Sequence, residues 1–573
     1  MRKLLYTFVA LSALAAVSCS EKINAPVSPD EAYASVELSS SSVVFPVAGD
    51  TKTIFVSTNG YEWTVECDES WLGIETTENS IVFTAGENPD PQGRTAVVIV
   101  KAGEGKNTDA VRFKVIQIGN ATVDLSAEAT ANCYIVAPNG TYRFDASVKG
   151  NGKADGDGNT KYIETHGIEI TGVAYADLVW EATFDGDRTN SAHIIEGYPV
   201  YSLDENAVYF TTGTSEGNAL ISVCAPDGTI QWSWHIWCIA GTPSVSEYNG
   251  LTWMDRNLGA VNNVPGDIAN RGLFYQWGRK DPFLPSCGAY QEMLPHRLAA
   301  SDSNPGGETL EEYVAIEAEN NARRAVANVR NEQVGDGSGK WSYYEVLAPF
   351  STEAPGNIEF AVNNPTTFML RARLGNDVTN DWYLAYDGYE TVESFGPLYL
   401  QSYSALWGVA QGIVKGGADT PATGYKSIFD PCPAGYTVPT QGSYTTLGED
   451  GYVDITSSWT KEKFGWRWTG GNGDYFPLAG YYGGGTYMNF GYTSLACTGE
   501  ELGYWTAMMT RDVSFGGKTN VLHTYTEDYG FNDVDSTYEQ SVNFGTEWYG
   551  NAFYDYTSMG ARTYGMPLRC VKE

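Results

Sequence analysis

Apolar and polar residues alternate with a period of two along the N-terminal part of the chain, and clusters of Gly, Pro, Asn and Asp interrupt the pattern. Phe113 and Val115, for example, alternate with Arg112 and Lys114. Such alternation is typical of strands that bury one face and expose the other. Because no stretch between 36 and 119 has helical spacing, we predict an immunoglobulin-like β-sandwich over residues 36–119.

Residues 120–245 continue the same strand-and-turn pattern, and their clearest feature is a hairpin around Asp227-Gly228. Large aromatic side chains at alternate positions bury area efficiently, so we interpret those of the hairpin as core and predict a second β-sandwich over 120–245. One face of its second strand carries Trp232, Trp234 and Ile236, and the other carries Ser233, His235 and Trp237.

Cys224 and Cys238 are consecutive cysteines in the sequence, but the predicted hairpin places them at different positions along its strands. The turn pairs residues 222–224 with 230–233, which leaves Cys238 roughly 23 Å further along an extended strand. The Cα atoms of a disulfide lie within roughly 7 Å of each other. We therefore predict that these two cysteines do not bridge.

The charge balance excludes one class of partner. The 573 residues include 70 acidic and 35 basic side chains, which gives a formal net charge of -35. Nucleic acid and anionic lipid surfaces need a basic protein surface, so neither is expected as a partner. Charged residues make up only 18% and hydrophobic residues 42% of the chain, which indicates a folded rather than a disordered protein.

The first residues resemble an export signal. Arg2 and Lys3 precede an apolar run over 4–17 that is shorter than the about 20 residues needed to cross a bilayer. Residues 16–19 (AVSC) resemble the lipobox of bacterial lipoproteins, which implies a signal peptide over 1–19, cleavage before Cys19 and lipidation of its thiol. The protein would then be anchored in the outer membrane by lipid alone, with residues 20–35 as a polar tether. The alternative is an ordinary signal peptide with an incidental Cys19.

Residues 36–119 resemble the BACON domain of Bacteroidetes surface proteins, a family regarded as carbohydrate-binding or as a spacer. Trp63 and Trp71 are candidates for sugar stacking, but at alternating strand positions we favour a role in the core. The resemblance rests on residues 63–65 (WTV), 70–72 (SWL), 87–89 (ENP), 93–94 (GR) and 115–118 (VIQI).

Residues 250–573 carry the most specific resemblance, to the Fibrobacter succinogenes major paralogous domain, a family of surface lipoproteins similar in fold to C-type lectins. It implies an α+β C-type-lectin-like domain over 250–573, so we predict a mainly β chain in which two immunoglobulin-like β-sandwich modules precede that domain. A segment at about 296–425 interrupts the blocks, and the helical spacing within 310–329 predicts a helical insertion there. The blocks are 253–260 (WMDRNLGA), 272–283 (GLFYQWGRKDPF), 429–440 (FDPCPAGYTVPT), 475–481 (YFPLAGY), 503–506 (GYWT) and 567–571 (PLRCV).

The lectin-like resemblance also implies a disulfide and a ligand surface. In such folds a cystine joins an early helix to the last strand, which implies the pair Cys432–Cys570. The calcium and sugar motifs of the lectins are missing, so a calcium-dependent sugar site is not expected. Tyrosines in Gly-rich loops offer large contact area with a polar tip, for sugars or protein surfaces, or they simply cover the core. These candidate ligand-binding residues are Tyr481, Tyr482, Tyr487 and Tyr492.

No motif indicates catalysis, a metal or a cofactor. Residues 155–159 (DGDGN) begin like a calcium loop, but Thr160 and His166 stand where Gly and Glu are required, so we interpret them as a turn. The five histidines are single, and no nucleophile motif is present. We therefore expect a non-catalytic surface lipoprotein that binds glycan or a surface protein ligand. The alternative is a structural subunit or scaffold of a surface assembly, with the β-modules as spacers.

Overall fold

The chain is mainly β in the residues that the computed structural model describes, with two short helices among them. No helix in these residues is long and apolar enough to cross a membrane. They are residues 33–153, 161–183, 193–248, 250–284, 312, 315, 333–334, 339–340, 342–347, 355–374, 377–379, 406–407, 426–439, 452–453, 459–462, 465–468, 473–477, 479, 481–484, 493–496, 502–509, 519–526, 540–545 and 565–573.

The first module is a sandwich of two four-stranded sheets, ordered β1-β3-β6-β5 and β2-β8-β7-β4. Strand β2 runs parallel to β8, and Phe83 stacks on Phe113 between the sheets at 5.1 Å. The buried side chains fall at alternate positions, as the period-two pattern requires. The strands are β1 (Val36–Leu38), β2 (Ser42–Phe45), β3 (Asp50–Thr58), β4 (Trp63–Glu66), β5 (Leu72–Thr76), β6 (Ser80–Ala85), β7 (Arg94–Glu104) and β8 (Asn107–Gln117).

The second module is also a sandwich, with sheets ordered β10-β16-β15-β12 and β13-β14-β11-β9. The prediction of a mainly β chain with β-sandwich modules is thereby confirmed. A short helix, Lys161–His166, lies beside it. The strands are β9 (Val123–Asp124), β10 (Cys133–Val136), β11 (Thr141–Asp145), β12 (Tyr175–Ala182), β13 (Ile195–Ser202), β14 (Ala207–Thr212), β15 (Gly217–Cys224) and β16 (Ile230–Cys238).

The predicted hairpin is formed by β15 and β16. Ser222 pairs with Ser233, and Cys224 pairs with Ile230 next to the turn. Cys238 lies at the opposite end of the hairpin, where it pairs with Gly217, and both cysteines are free thiols. The prediction that they do not bridge is confirmed.

The two modules pack directly on each other, because β13 lies across β2, β7 and β8. A small apolar cluster of Ile116, Val200, Ala207 and Tyr209 is buried between them. Hydrogen bonds surround it, including one of 3.0 Å from the Lys114 ammonium to the carbonyl of Ala176. The modules are therefore joined by a packed interface as well as by the chain.

The C-terminal part closes its two ends on each other: β18 and β25 both pair with β36, and β19 pairs with β35. A disulfide joins Cys432 to Cys570, the pair implied by the lectin-like resemblance, with the Cα atoms 6.0 Å apart. The strands up to the Cys432 block are β17 (Val245–Tyr248), β18 (Leu251–Met254), β19 (Phe274–Gln276), β20 (Gln333–Val334), β21 (Gly339–Lys340), β22 (Ser342–Leu347), β23 (Thr367–Leu374), β24 (Asp377–Thr379) and β25 (Tyr436–Thr437). Those that follow are β26 (Tyr452–Val453), β27 (Trp459–Glu462), β28 (Gly465–Trp468), β29 (Tyr475–Pro477), β30 (Tyr481–Gly484), β31 (Thr493–Ala496), β32 (Leu502–Met509), β33 (Thr519–Thr526), β34 (Gln540–Gly545), β35 (Gly565–Pro567) and β36 (Val571–Lys572).

The insertion at about 296–425 is not helical throughout. It contains the helix Pro355–Asn363, but also the three-stranded sheet β22-β23-β24. Within the helical pattern at 310–329, only residues 312 and 315 are described, and both are helical. The rest of that pattern lies outside the described residues.

Strand β16 is buried on both faces, because the second module and the C-terminal part pack against opposite sides of it. On one face the ring of Trp234 lies 4.8 Å from that of Phe144 inside the sandwich. On the other face Trp237 donates from Nε1 to the carbonyl of Ala260 at 3.1 Å. One continuous apolar core therefore extends from the second module into the C-terminal part.

A second contact between these parts depends on a close backbone approach. Gly150 has a φ of 50°, and a Cβ placed there would lie 2.1 Å from the carbonyl oxygen of Ile428. Beside it, the Asn132 amide donates to the carbonyls of Ile428 and Asp430 at 2.7 and 2.8 Å. Only glycine fits both the left-handed backbone and this contact.

We expect Gly150→Ala to destabilise the protein more than Gly167→Ala. Both glycines have positive φ, and forcing Ala into that region costs about 1–2 kcal/mol at either position. At Gly167 nothing lies within 4 Å of the added Cβ, whereas at Gly150 the backbone of residue 428 must move as well. Denaturant unfolding of the full-length variants measures the difference, and equal losses of unfolding free energy would contradict the junction as described.

Candidate functional site

The tyrosines predicted to bind ligand are only partly covered by the described residues. Tyr481 and Tyr482 belong to β30, which pairs with β31 on one side and with β35 on the other. The loop interpretation is therefore wrong for these two residues, since strand pairing to distant segments overrides the local glycine content. Tyr487 and Tyr492 lie outside the described residues, as do Cys19 and residues 155–159.

The two tryptophans of the BACON-like segment pack against the core of the first module, where both are half-buried. The Trp63 indole donates to the carbonyl of Glu78 at 3.3 Å. The Arg94 guanidinium lies 4.5 Å from the centre of the Trp71 ring and donates to the side-chain oxygen of Gln117. Both rings therefore pack on the core, as the favoured interpretation predicts.

The block around Cys432 holds a buried polar centre. The Asp430 carboxylate is fully buried and accepts hydrogen bonds from the Lys426 ammonium at 2.9 Å and from the Thr437 hydroxyl at 2.7 Å. It also accepts from the backbone amides of Cys432 and Val438. Because every carboxylate oxygen has partners, this buried charge is compensated, and its role is structural.

A second buried cluster combines a serine, a lysine and an aspartate. The Lys280 ammonium lies 2.6 Å from the Asp281 carboxylate and 2.5 Å from the Ser233 hydroxyl, which itself donates to Asp281. Burial lowers the pKa of Lys280, and the Asp281 carboxylate opposes that shift. A Ser–Lys pair can be a nucleophile and its base. Here all three side chains are at most 3% exposed, so no substrate reaches the hydroxyl.

His235 is a buried neutral imidazole on the same face of β16. Its Nε2 lies 2.8 Å from the side-chain oxygen of Asn218, whose amide nitrogen donates to the carbonyl of Gly259. The Asn218 oxygen is thus an acceptor, which assigns the proton to Nε2. Burial lowers the pKa of His235 from 6.5 to about 3. At neutral pH the ring is a structural hydrogen-bond donor.

No group of three or more His, Cys, Asp or Glu side chains in the described parts of the chain is arranged to hold a metal ion. Reactive side chains that do cluster there, in the Asp430 and Ser233 groups, are sealed in the interior. Among the described residues, we therefore looked for groups open to a ligand on the exposed surfaces.

The outer face of the sheet β1-β3-β6-β5 is an open surface with an exposed aromatic ring at its centre. Phe55 on β3 is 59% exposed, while its neighbours Ile54 and Val56 are 7% exposed and belong to the core. We call this surface the Phe55 face. Its outward positions are Glu37 on β1, Thr51, Thr53, Phe55 and Ser57 on β3, Ser80, Val82 and Thr84 on β6, and Gly73 and Glu75 on β5.

The strand register places small side chains around the Phe55 ring, of which Thr53 and Ser57 are exposed and Ser80 is buried. Ser80 is its direct neighbour on β6, and Thr53 beside it pairs with Val82. The Ser80 hydroxyl is hydrogen-bonded to Thr77 at 2.7 Å and leaves the ring uncovered. An aromatic face can pack on the apolar C–H face of a sugar ring through dispersion, while neighbouring hydroxyls exchange hydrogen bonds with sugar hydroxyls.

Phe55 was not among the residues predicted from the sequence to bind ligand. A signal was present, because Thr51, Thr53 and Ser57 occupy the polar set of the alternation and Phe55 is the one large apolar residue among them. Exposed apolar residues are common, however, and alternation alone does not tell which sheet face remains uncovered.

Residues 61–118 match the family model of the BACON domain, which is described as "Putative binding domain, N-terminal". This segment covers part of the first module, including β4 and β8. No curated protein matches the chain.

Among solved structures, a Bacteroides ovatus GH5 xyloglucanase in complex with a XXXG heptasaccharide is 20% identical, with a TM-score of 0.13 and coverage of 18% of this chain and 22% of that one. A protein from Bacteroides thetaiotaomicron solved by NMR is 14% identical, with a TM-score of 0.14 and coverage of 17% and 96%. An endo-fucoidan hydrolase from glycoside hydrolase family 107 is 10% identical, with a TM-score of 0.13 and coverage of 36% and 29%. At these TM-scores the likeness carries no argument.

We expect His235 to make the protein acid-sensitive. Unfolded His binds a proton below about pH 6.5, whereas folded His235 stays neutral until about pH 3, so unfolding takes up a proton in this window. Stability contributed by the neutral ring is complete above about pH 6.5 and falls by up to about 1.4 kcal/mol per pH unit as the pH decreases towards 3. Unfolding free energies measured between these pH values test this.

The variant His235→Gln should show a shallower dependence of the unfolding free energy on pH over the same window. The exposed His166 offers the matched control, His166→Gln, which leaves the buried imidazole of His235 in place. If both variants keep the same slope, His235 does not carry the effect.

Proposed function

We propose that this protein is a non-catalytic, lipid-anchored surface protein that binds glycan through the Phe55 face of its first module. The observation that carries the proposal is the Phe55 ring, 59% exposed at the centre of an open sheet face rich in hydroxyls. Anchoring would be at Cys19 in the outer membrane, with no cofactor and no nucleic-acid partner. The match of residues 61–118 to the BACON family, which includes β5 and β6 of the same sheet but not Phe55, supports a binding role for the first module.

The uncovered area of the Phe55 ring sets how much free energy a stacked sugar could contribute. Full burial of a Phe side chain contributes about 1.5–3 kcal/mol, and more than half of the Phe55 ring is still in water. A sugar ring stacked on it would therefore contribute about 1–1.5 kcal/mol, close to a tenfold gain in affinity. Hydroxyls of Thr51, Thr53 and Ser57 would add orientation.

The C-terminal part offers a further region for ligand contact. Tyr481, Tyr482, Tyr487 and Tyr492 remain candidate ligand-binding residues of a C-type-lectin-like domain that would bind sugar or a surface protein. Strand β30, with two of them, is held between two strands, which would fix the position of its backbone.

A scaffold in a surface assembly is the second candidate function. It is favoured by the packed connection of the three parts, since the Ile116 cluster and the core around β16 leave no free hinge between the described parts of neighbouring modules. Rigid modules of this kind would hold other subunits at fixed distances rather than act as flexible spacers.

We expect Phe55→Ala to weaken glycan binding by the full-length protein about tenfold, because the stacking surface is removed. The matched control is Leu203→Ala, which removes an apolar side chain of similar exposure, 56%, from the second module. A glycan array followed by titration calorimetry on the best ligand measures both. Unchanged binding in Phe55→Ala would reject this face, and a protein partner in place of any glycan would favour the scaffold.

Lipid anchoring has an independent test at Cys19. The variant Cys19→Ser should lose incorporation of labelled fatty acid and move from the membrane to the soluble fraction, because a thiol is required for the lipid bond. Cys67→Ser, which changes a free cysteine of the first module, is the control and should remain in the membrane fraction. Membrane retention of Cys19→Ser without label would point to a different attachment.

A further inference from the structure

We infer that the Phe55 face selects uncharged polysaccharide over sulfated or uronic-acid polysaccharide. This inference rests on the proposed function and names the class of ligand for the same surface. It depends on which charges lie on the outward positions of the four strands.

Carboxylates are the only charged groups at those positions, all of which the structure describes. Glu37 on β1 and Glu75 on β5 are both exposed, and no outward position carries Lys or Arg. The nearest cation along β3, Lys52, belongs to the opposite set of the alternation, and its ammonium lies 3.3 Å from the Asp50 carboxylate. An anionic ligand would therefore meet no cation to pair with.

The two carboxylates flank the aromatic ring from opposite edges of the sheet. Glu37 pairs with Ser57, two residues from Phe55, and Glu75 pairs with Val82, which in turn pairs with Thr53. Strands lie about 4.8 Å apart, so β1 and β5 are separated by about 14 Å. A polysaccharide lying across the sheet on Phe55 would meet a carboxylate on each side.

The hydrogen-bonding chemistry of these groups favours neutral sugars. A carboxylate accepts hydrogen bonds but donates none when ionised, so it pairs with sugar hydroxyls, which can donate. Sulfate and uronate groups also only accept, and they bring like charge. Two unit charges about 8 Å apart in water repel each other enough to change affinity about twofold. Both glutamates together would disfavour one such anionic group about fivefold at low salt.

A basic protein could also be attracted to carboxylates, but the Phe55 face offers one aromatic anchor among small hydroxyl side chains. Stable protein interfaces bury about 800 Å² per partner around a cluster of buried anchors. One ring with flanking hydroxyls and acceptors fits a sugar chain better. If the protein binds a basic protein and shows no Phe55-dependent binding of any polysaccharide, the hypothesis of a sugar ligand is rejected.

The test uses the full-length protein and two polymer pairs that differ in charge, hydroxyethylcellulose with carboxymethylcellulose and dextran with dextran sulfate. Affinity electrophoresis and calorimetry should show Phe55-dependent binding to a neutral member, with little change between about 0.05 M and about 0.5 M salt. The anionic member of the same pair should bind at least about fivefold more weakly at low salt, and the difference should shrink at high salt.

Removing both carboxylates should abolish this discrimination. Glu37→Gln combined with Glu75→Gln should bring binding of the anionic polymer to within about twofold of the neutral one at low salt. Glu104→Gln combined with Glu128→Gln is the matched control, since it removes two exposed carboxylates elsewhere and should keep the discrimination.

The outcomes separate the inference from the proposed function. Tighter binding of an anionic polymer that is lost in Phe55→Ala overturns the inference and leaves the glycan site in place. Equal discrimination in both double variants also overturns it, because the selectivity then comes from elsewhere. Absence of any Phe55-dependent binding to the four polymers counts against the proposed function itself.

Discussion

The burial of β16 on both faces is the constraint on which the described structure depends. A strand in a two-sheet sandwich normally keeps one face in water, and it can then carry polar residues there without partners. In β16 that second face is closed by the segment around residues 253–283, so Ser233 and His235 need partners inside the protein. Asp281 and Asn218 provide them. The second module and the C-terminal part consequently share one core. Without the C-terminal part, the second face of β16 would be uncovered.

The sequence pattern was sufficient to predict those elements that are determined by neighbouring residues in the chain. Alternation predicted both sandwiches, and the Asp227-Gly228 turn set the register of β15 with β16, which separates Cys224 from Cys238. The pair Cys432–Cys570 followed from a family resemblance, not from spacing. The predictions that failed concern contacts between distant segments. Tyr481 and Tyr482 follow a strand and precede glycines, yet their pairing with β31, and that of Tyr482 with Gly565, makes them part of a sheet. The Phe55 face was missed for the same reason, since its exposure depends on where the second module packs.

The distribution of charge gives the acidic composition a structural meaning. Among the described residues six basic side chains are buried, namely Lys149, Arg271, Arg279, Lys280, Lys426 and Arg569, from a total of 35 in the chain. Five acidic side chains are buried, Glu181, Asp255, Asp281, Asp430 and Asp474, from a total of 70. In the described part of the chain the buried charges nearly balance, six cations against five anions, although acidic residues outnumber basic ones two to one in the whole sequence. The outward positions of the Phe55 face follow the whole sequence rather than the interior, since their only charged groups are carboxylates.

Each module also pairs an early strand in parallel with its last strand. In the first module Ser42–Phe45 runs beside residues 114–117 of β8, and in the second Cys133–Val136 runs beside residues 235–238 of β16. If the two ends of such a module are pulled apart, the two strands slide against each other along their length. All hydrogen bonds between them then bear the load together, whereas antiparallel terminal strands would separate one bond at a time. A module with this arrangement therefore resists extension along the direction of these strands.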